Sequence, residues 1–244
     1  MTLPPVLDVF IGYDRDEVVA YHVLCQSIVE TSTHPVRFTP INLKSLKPIF
    51  EREATAQQST EFSFSRFLTP YLAGYAGWSL FMDCDMLVRG DIAELFALAD
   101  ERYAVMVCQH DYTPRDDIKF LERTQSRYAK KNWSSVMLMN NARCRALTPP
   151  FVQAATGLEL HQFKWLASED EIGGLPLEWN WLVGEYDFNP AAKVAHFTRG
   201  GPYLPGYGAS DYADEWRAMY ETTVHAKGSG PRRWEAGKPI PPRG

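Results

Sequence analysis

Apolar residues recur along this chain in two periods, and the switches between them outline alternating strands and helices. Val6 to Ile11 is a short apolar run, expected as a strand, that stops at Gly12-Tyr13-Asp14. From about Asp16 to Glu30 the pattern becomes helical, with Val19, Val23 and Leu24, then Ser27 and Ile28, on one face. Val36 to Ile41 predicts a second strand. A strand, a helix and a strand at this spacing predict a parallel βαβ unit, which takes ligands beyond the carboxyl ends of its strands. Leu80 to Val88 is a further apolar run, interrupted by Asp83 and Asp85. Arg89-Gly90 then turns the chain, and Asp91-Ile92-Ala93-Glu94 reads as a capping box opening a helix from Ile92 to Ala99. Further strands are predicted at Tyr103 to Cys108, Ser135 to Met139 and Lys193 to His196, and a helix at Asp211 to Thr223.

Length and composition narrow the picture. The 244 residues, 45% of them hydrophobic, suffice for one large core. A single α/β domain over residues 1–226 is expected, followed by a tail over 227–244 rich in Pro, Gly and Arg. The net charge of −5 speaks against a nucleic-acid partner, so an anionic ligand must be held by local groups such as a metal ion. Cys25, Cys84, Cys108 and Cys144 are widely spaced with no C-x-x-C pair, which suits neither a disulfide framework nor a zinc knuckle. A reducing cytoplasm is the expected setting. No basic stretch leads into an apolar one at the N-terminus and no apolar run reaches 18 residues, so neither secretion nor a transmembrane segment is expected. In the tail, Lys227, Arg232, Arg233, Trp234 and Lys238 offer peripheral contact with anionic lipid at the inner membrane face, or simply a solvated end.

The chemistry concentrates at Asp83-Cys84-Asp85. Side chains at i and i+2 of an extended strand share a face, so the two aspartates can present oxygens to one side while Met82 and Cys84 face the packing. Paired hard oxygen ligands suit Mn²⁺ or Mg²⁺. A solvated strand end accounts for the same spacing.

Other segments stand in a recognisable order with this one. Ser63-Phe64-Ser65-Arg66-Phe67, Tyr71-Leu72, Trp78 to Ile92 and Glu94-Leu95-Phe96 together resemble the central signature of glycosyltransferase family 8, which includes glycogenin and bacterial lipopolysaccharide galactosyl- and glucosyltransferases. The likeness continues through Val136 to Asn140, Glu169-Asp170-Glu171-Ile172, Trp179-Asn180 and His196-Phe197-Thr198-Arg199-Gly200, and covers roughly residues 6 to 205.

The resemblance implies a GT-A fold, with a central, mostly parallel mixed sheet flanked by helices, and transfer of a hexose from a nucleotide sugar to a glycan or other hydroxyl acceptor. It implies retention of anomeric configuration and a UDP-sugar as donor. Asp83, Asp85 and His196 match the family's metal ligands, and the imidazole must be neutral to ligate. Ile11, Gly12, Tyr13, Asp14, Arg66, Cys84, Arg199 and Gly200 match its donor-binding stretches. For Arg66, 17 residues before Asp83, the competing reading is a helix-surface arginine paired with Glu61. For Asp14 it is a turn or cap. Asp170, then Glu169, match the acidic segment beneath the reacting sugar, although three consecutive acids also make an ordinary solvated turn. Trp179 and Asn180 fall at the sugar-pocket wall, or in the core.

The chain departs from the family pattern in two places. Asn132-Trp133-Ser134-Ser135 replaces a stretch with a sugar-contacting asparagine and a glycine, and the lysine after the histidine motif is missing, leaving Arg199 as the nearest cation. A non-catalytic sugar-nucleotide or glycan-binding relative is therefore an alternative. A haloacid-dehalogenase-type phosphatase is a second, with Asp83 as nucleophile and Asp85 as general acid, but that motif ends a first strand and gives Arg66 and His196 no role. Tyr203, Tyr207, Tyr212 and Trp216 can stack on acceptor sugars or pack in a core.

Overall fold

The computed structural model describes residues 3–52, 60–111 and 130–225. The opening unit is as expected, with β1 (Leu7–Gly12), α1 (Val18–Thr31) and β2 (Val36–Ile41), and β1 parallel to β2. In α1, Ala20, Val23, Leu24, Ser27 and Ile28 share a buried face, where each large aliphatic side chain contributes about 1.5–3 kcal/mol. Ser27 fits that face because its hydroxyl donates to the Leu24 carbonyl and accepts from the Val88 amide.

Two sheets share the remaining strands. The larger contains β3 (Trp78–Met82), β5 (Val105–Cys108), β6 (Val136–Asn140) and β7 (Ile172–Leu175), in the order β2-β1-β3-β6-β5-β7. Only β6 is antiparallel to its neighbours, so five of the six strands run one way. All five residues of β3 are buried, as a central strand covered on both faces requires. The C-terminal ends of β1, β3, β5 and β7 thus share one rim with the start of β6. The smaller sheet holds β4 (Met86–Val88), β9 (Val194–His196) and β8 (Trp181–Leu182), with β9 antiparallel to β4 and parallel to β8. Around it Val23, Leu87, Val183, Ala195, Phe197, Tyr212 and Trp216 form a second apolar cluster.

Helices flank the sheets: α2 (Leu43–Leu46), α3 (Thr69–Leu72), α4 (Ile92–Phe96), α5 (Pro149–Ala154), α6 (Gly157–His161) and α7 (Ala213–Val224). The α4 helix stops short of Ala99 and holds only half of the expected capping box. Asp91 accepts from the Ala93 amide at 2.9 Å, while Glu94 turns away to pair with Lys193. The apolar run through Asp83 and Asp85 is not one strand: β3 ends at Met82, and residues 83–85 bend the chain from the large sheet into the small one. Tyr212 takes a left-handed φ of 60°, which delays α7 to Ala213. Among the described residues no helix is long and apolar enough to cross a membrane. The tail over 227–244 and its basic residues lie outside the described residues.

Candidate metal centre

The bend between the sheets brings three potential ligands together. Asp83 is pinned where β3 ends, its amide donating to the Ser135 carbonyl at 2.9 Å. Two residues on, the Asp85 carbonyl accepts from the Phe197 amide at 2.9 Å, and the β4–β9 register sets His196 opposite Met86. His196 therefore arrives beside Asp85, with Nε2 3.3 Å from Oδ1. One ligand atom from each of Asp83, Asp85 and His196 lies within 4.8 Å of the others. Bonds of about 2.1 Å around one cation space its ligand atoms about 3–4.2 Å apart, so a small inward adjustment closes this set around a divalent ion. Two carboxylates and an imidazole fit such an ion chemically.

Asn180 selects the nitrogen of His196 that is available. Its amide nitrogen donates to Ser135 Oγ at 2.9 Å and to the Asn132 carbonyl at 3.2 Å, which leaves Oδ1 to accept from His196 Nδ1 at 2.8 Å. With the proton on Nδ1, the Nε2 lone pair faces Asp85. Ser135, the departure from the family pattern, belongs to this network through its own donation to Asn132 at 2.7 Å. Asn180 is fully buried and Trp179 is 2% exposed in the main core, so neither forms a sugar-pocket wall. Asn180 instead orients the His196 imidazole.

Arg66 is not a surface residue paired with Glu61; that acid pairs with Arg15. Arg66 is 4% exposed, its guanidinium near the rings of Phe62 and Phe81, with Nη1 2.7 Å from Asp83 Oδ1 and donating to the Ser134 carbonyl at 3.0 Å. It thus holds the first aspartate of the pair. Among the described residues its Nε has no hydrogen-bond partner.

The other expected donor residues occupy the same rim in varied ways. Ile11 is fully buried, and Gly12 lies beneath the Phe62 ring, which would collide with any Cβ there. Neither is open to a base in this conformation, because the turn before Ser63 folds over them. Tyr13 is half-buried, edge-on to Tyr21. Asp14 has the cap role: its oxygens accept from the Asp16 amide at 2.9 Å and the Glu61 amide at 3.0 Å. The Cys84 side chain is fully buried and faces protein, its thiol pushed up by burial. Arg199 lies half-buried along Gly184, and Gly200 is buried with a φ of 142° against Tyr207.

Asp170 and Glu169, expected beneath the reacting sugar, are placed away from the D-x-D bend. Their turn leads into β7 at the rim opposite the D-x-D bend: the Glu171 carbonyl accepts from the Ala104 amide, and Ile172 pairs with Val105 at the start of β5. Both are exposed in a short 3₁₀ turn capped by Ser168, with Glu169 paired to Lys130 at 2.6 Å. They form the solvated turn that was the alternative reading. Of the candidate acceptor aromatics, Tyr212 and Trp216 are buried in the second cluster, and Tyr203 packs against Trp216.

One acid at the site was not anticipated. Glu17 is 2% exposed, and burial, then the charge of Asp85, pushes its carboxyl up to about 8. Its signal was present in the sequence: at three and seven residues before Ala20 and Leu24, Glu17 is in phase with the apolar face of α1. His110, also near the rim, is held down to about 3 by burial and then by the neighbouring His196, and is neutral.

No family model matches the chain. Protein CDI of Arabidopsis thaliana is 45% identical over 217 residues, 85% of this chain and 83% of that protein. Among solved structures, the WbbM bifunctional glycosyltransferase in its apo form superposes with a TM-score of 0.64 at 13% identity, over 92% of this chain and 51% of that one. Galactosyltransferase LgtC, in complex with donor and acceptor sugar analogs, gives 0.56 at 12% identity, over 91% and 98%. Glycosyltransferase GlyE of Streptococcus pneumoniae gives 0.58 at 12%, over 89% and 60%. The chain thus spans about half of the WbbM chain and three fifths of GlyE. At such identities the likeness establishes the fold, the GT-A arrangement of these glycosyltransferases.

Proposed function

The chain belongs to the family of Protein CDI, and from that premise, its fold and its metal centre we propose that it is a metal-dependent hexosyltransferase of the family 8 kind. It takes a hexose from a nucleoside-diphosphate sugar, with UDP as nucleotide, to a hydroxyl acceptor with retention of configuration. The convergence of Asp83, Asp85 and an Asn180-oriented His196 at the rim where parallel strands end carries this reading. The mixed oxygen and nitrogen ligand set favours Mn²⁺ over Mg²⁺. When bound there, the cation supplies Lewis-acid stabilisation of the charge that builds on the departing diphosphate. The chain's own groups prepare that role. Asn180 keeps the proton on Nδ1, and Arg66 holds Asp83. Arg199, three residues past His196, is the cation nearest the place of the missing family lysine.

The test is release of free UDP from a panel of UDP-sugars with Mn²⁺. Release that is abolished by chelator and falls at least about 100-fold in Asp85→Ala is expected. Tight nucleotide-sugar binding without turnover on a broad acceptor panel would replace the enzyme with a non-catalytic binding protein. The phosphatase reading has no support from the fold, since the D-x-D bend follows the third strand and joins two sheets.

A further inference from the structure

Glu17 carries a charge-bearing group that neither α1 nor the ligand set explains. It makes no side-chain cap for α1, and no Lys or Arg pairs with it among the described residues. Burying a carboxyl without a cationic partner is unfavourable even when hydrogen bonds meet its oxygens, so a residue kept there has a task. Its two oxygens show where that task lies. Oε1 accepts from the Tyr203 hydroxyl at 2.6 Å, and Oε2 is 3.9 Å from the thiol of Cys84, the residue between the two aspartates.

Tyr203 belongs to the segment that leaves β9 just after His196. That segment is built to bring the phenol inward: Gly200 takes a φ of 142° with Tyr207 against it, Gly201 lies under the Tyr203 ring where no Cβ fits, and the ring rests on Trp216 of α7 at 5.2 Å. The hydroxyl then crosses to the turn after β1, 186 residues earlier in the chain. One hydrogen bond therefore joins the strand-end segment carrying His196 to the turn carrying Asp14, directly behind the D-x-D bend.

We propose that the Tyr203–Glu17 hydrogen bond is a latch that sets the spacing of the cation ligands, holding the segment beyond His196 against the back of the Asp83-Cys84-Asp85 bend. Glu17 and Tyr203 are then positioning residues: they touch the backing of the site rather than the cation. Ligand geometry must be held to about 0.5 Å for productive binding, and a bend between two sheets lacks a ladder of its own to hold it. The inference rests on the reading of this centre as a divalent-cation site, but not on sugar transfer.

The experiment is titration of the full chain with Mn²⁺ alone, following free Mn²⁺ by electron paramagnetic resonance. Tyr203→Phe keeps the ring and its contact with Trp216 but deletes the hydroxyl; the Mn²⁺ dissociation constant is expected to rise about tenfold or more, in the range of lost outer-shell partners. Glu17→Gln keeps an acceptor for the phenol and is expected to retain most of the wild-type affinity. Wild-type affinity in Tyr203→Phe, or a loss in Glu17→Gln as large as in Tyr203→Phe, would overturn the latch, the second because it would make charge rather than the hydrogen bond responsible. Should Tyr203→Phe not fold, Glu17→Ala removes the acceptor and takes its place in the same titration. A wild-type chain that binds no Mn²⁺ would overturn the cation site itself, a failure distinct from that of the latch.

Discussion

A histidine ligates only through the nitrogen that carries no proton, and in this chain an asparagine makes that choice. Asn180 has spent both amide hydrogens on Ser135 and Asn132, so it can meet His196 only as an acceptor. Asn180→Ala is therefore expected to weaken Mn²⁺ binding about 10–100-fold, read by the same titration, while circular dichroism of the folded chain stays unchanged. An unaltered dissociation constant would mean that the imidazole is oriented by other contacts. The ligands themselves were legible in the sequence, because D-x-D and His196 are distinctive in type and order. Asn180 was legible as a site residue but not in its role, since a sequence shows that an amide is near a site and not which partner its oxygen meets. Asp170 and Glu169 show the complement: acids suited to the chemistry lie at the start of β7, away from the bend, which their order in the sequence does not reveal.

The short helix Ser65–Leu68 shows how an element with little intrinsic stability becomes part of a site. It is a single 3₁₀ turn, fully buried, and Arg66 fastens it to the end of β3 through Asp83 and to the start of β6 through Ser134. Removing one partner of a buried pair leaves the other charge uncompensated, at a cost of about 3–5 kcal/mol, whereas removing both is far milder. Arg66→Met is thus expected to lose about that much in urea unfolding, and Arg66→Met with Asp83→Asn to recover much of it. A loss in the double variant equal to the sum of the losses in Arg66→Met and Asp83→Asn would show that the two side chains are not coupled. Long elements such as α1 and β3 were visible from periodicity. The two-residue β8 and the short α2, α5 and α6 were not, because elements of this length take their conformation from what they pack against.

Across the whole molecule, buried titratable groups pull stability in opposite directions with pH. Glu17 has its folded value raised from 4.5 to about 8, so its contribution is complete below pH 4.5 and is lost as pH rises toward 8. His110 and His161 are lowered from 6.5 to about 3, mainly by burial, so theirs is complete above pH 6.5 and is lost as pH falls toward 3. With chelator present, the melting temperature is expected to peak near about pH 6.5, and Glu17→Gln to remove the decline between there and pH 8. A decline of the same size in that variant would assign it to other groups. Local composition and spacing determined the α/β class, the order of the main elements and the Asp83/Asp85 pair, since these depend on side-chain period and identity along the chain, whereas His196 entered only through the family resemblance. Tertiary structure decided what distant segments do to one another: that the D-x-D bend joins two sheets, that the β4–β9 register delivers His196 to Asp85, that the acidic turn faces the other rim, and that Glu17 is enclosed behind the site. Strand register and order fix those relations, and neither is written in any one stretch of residues.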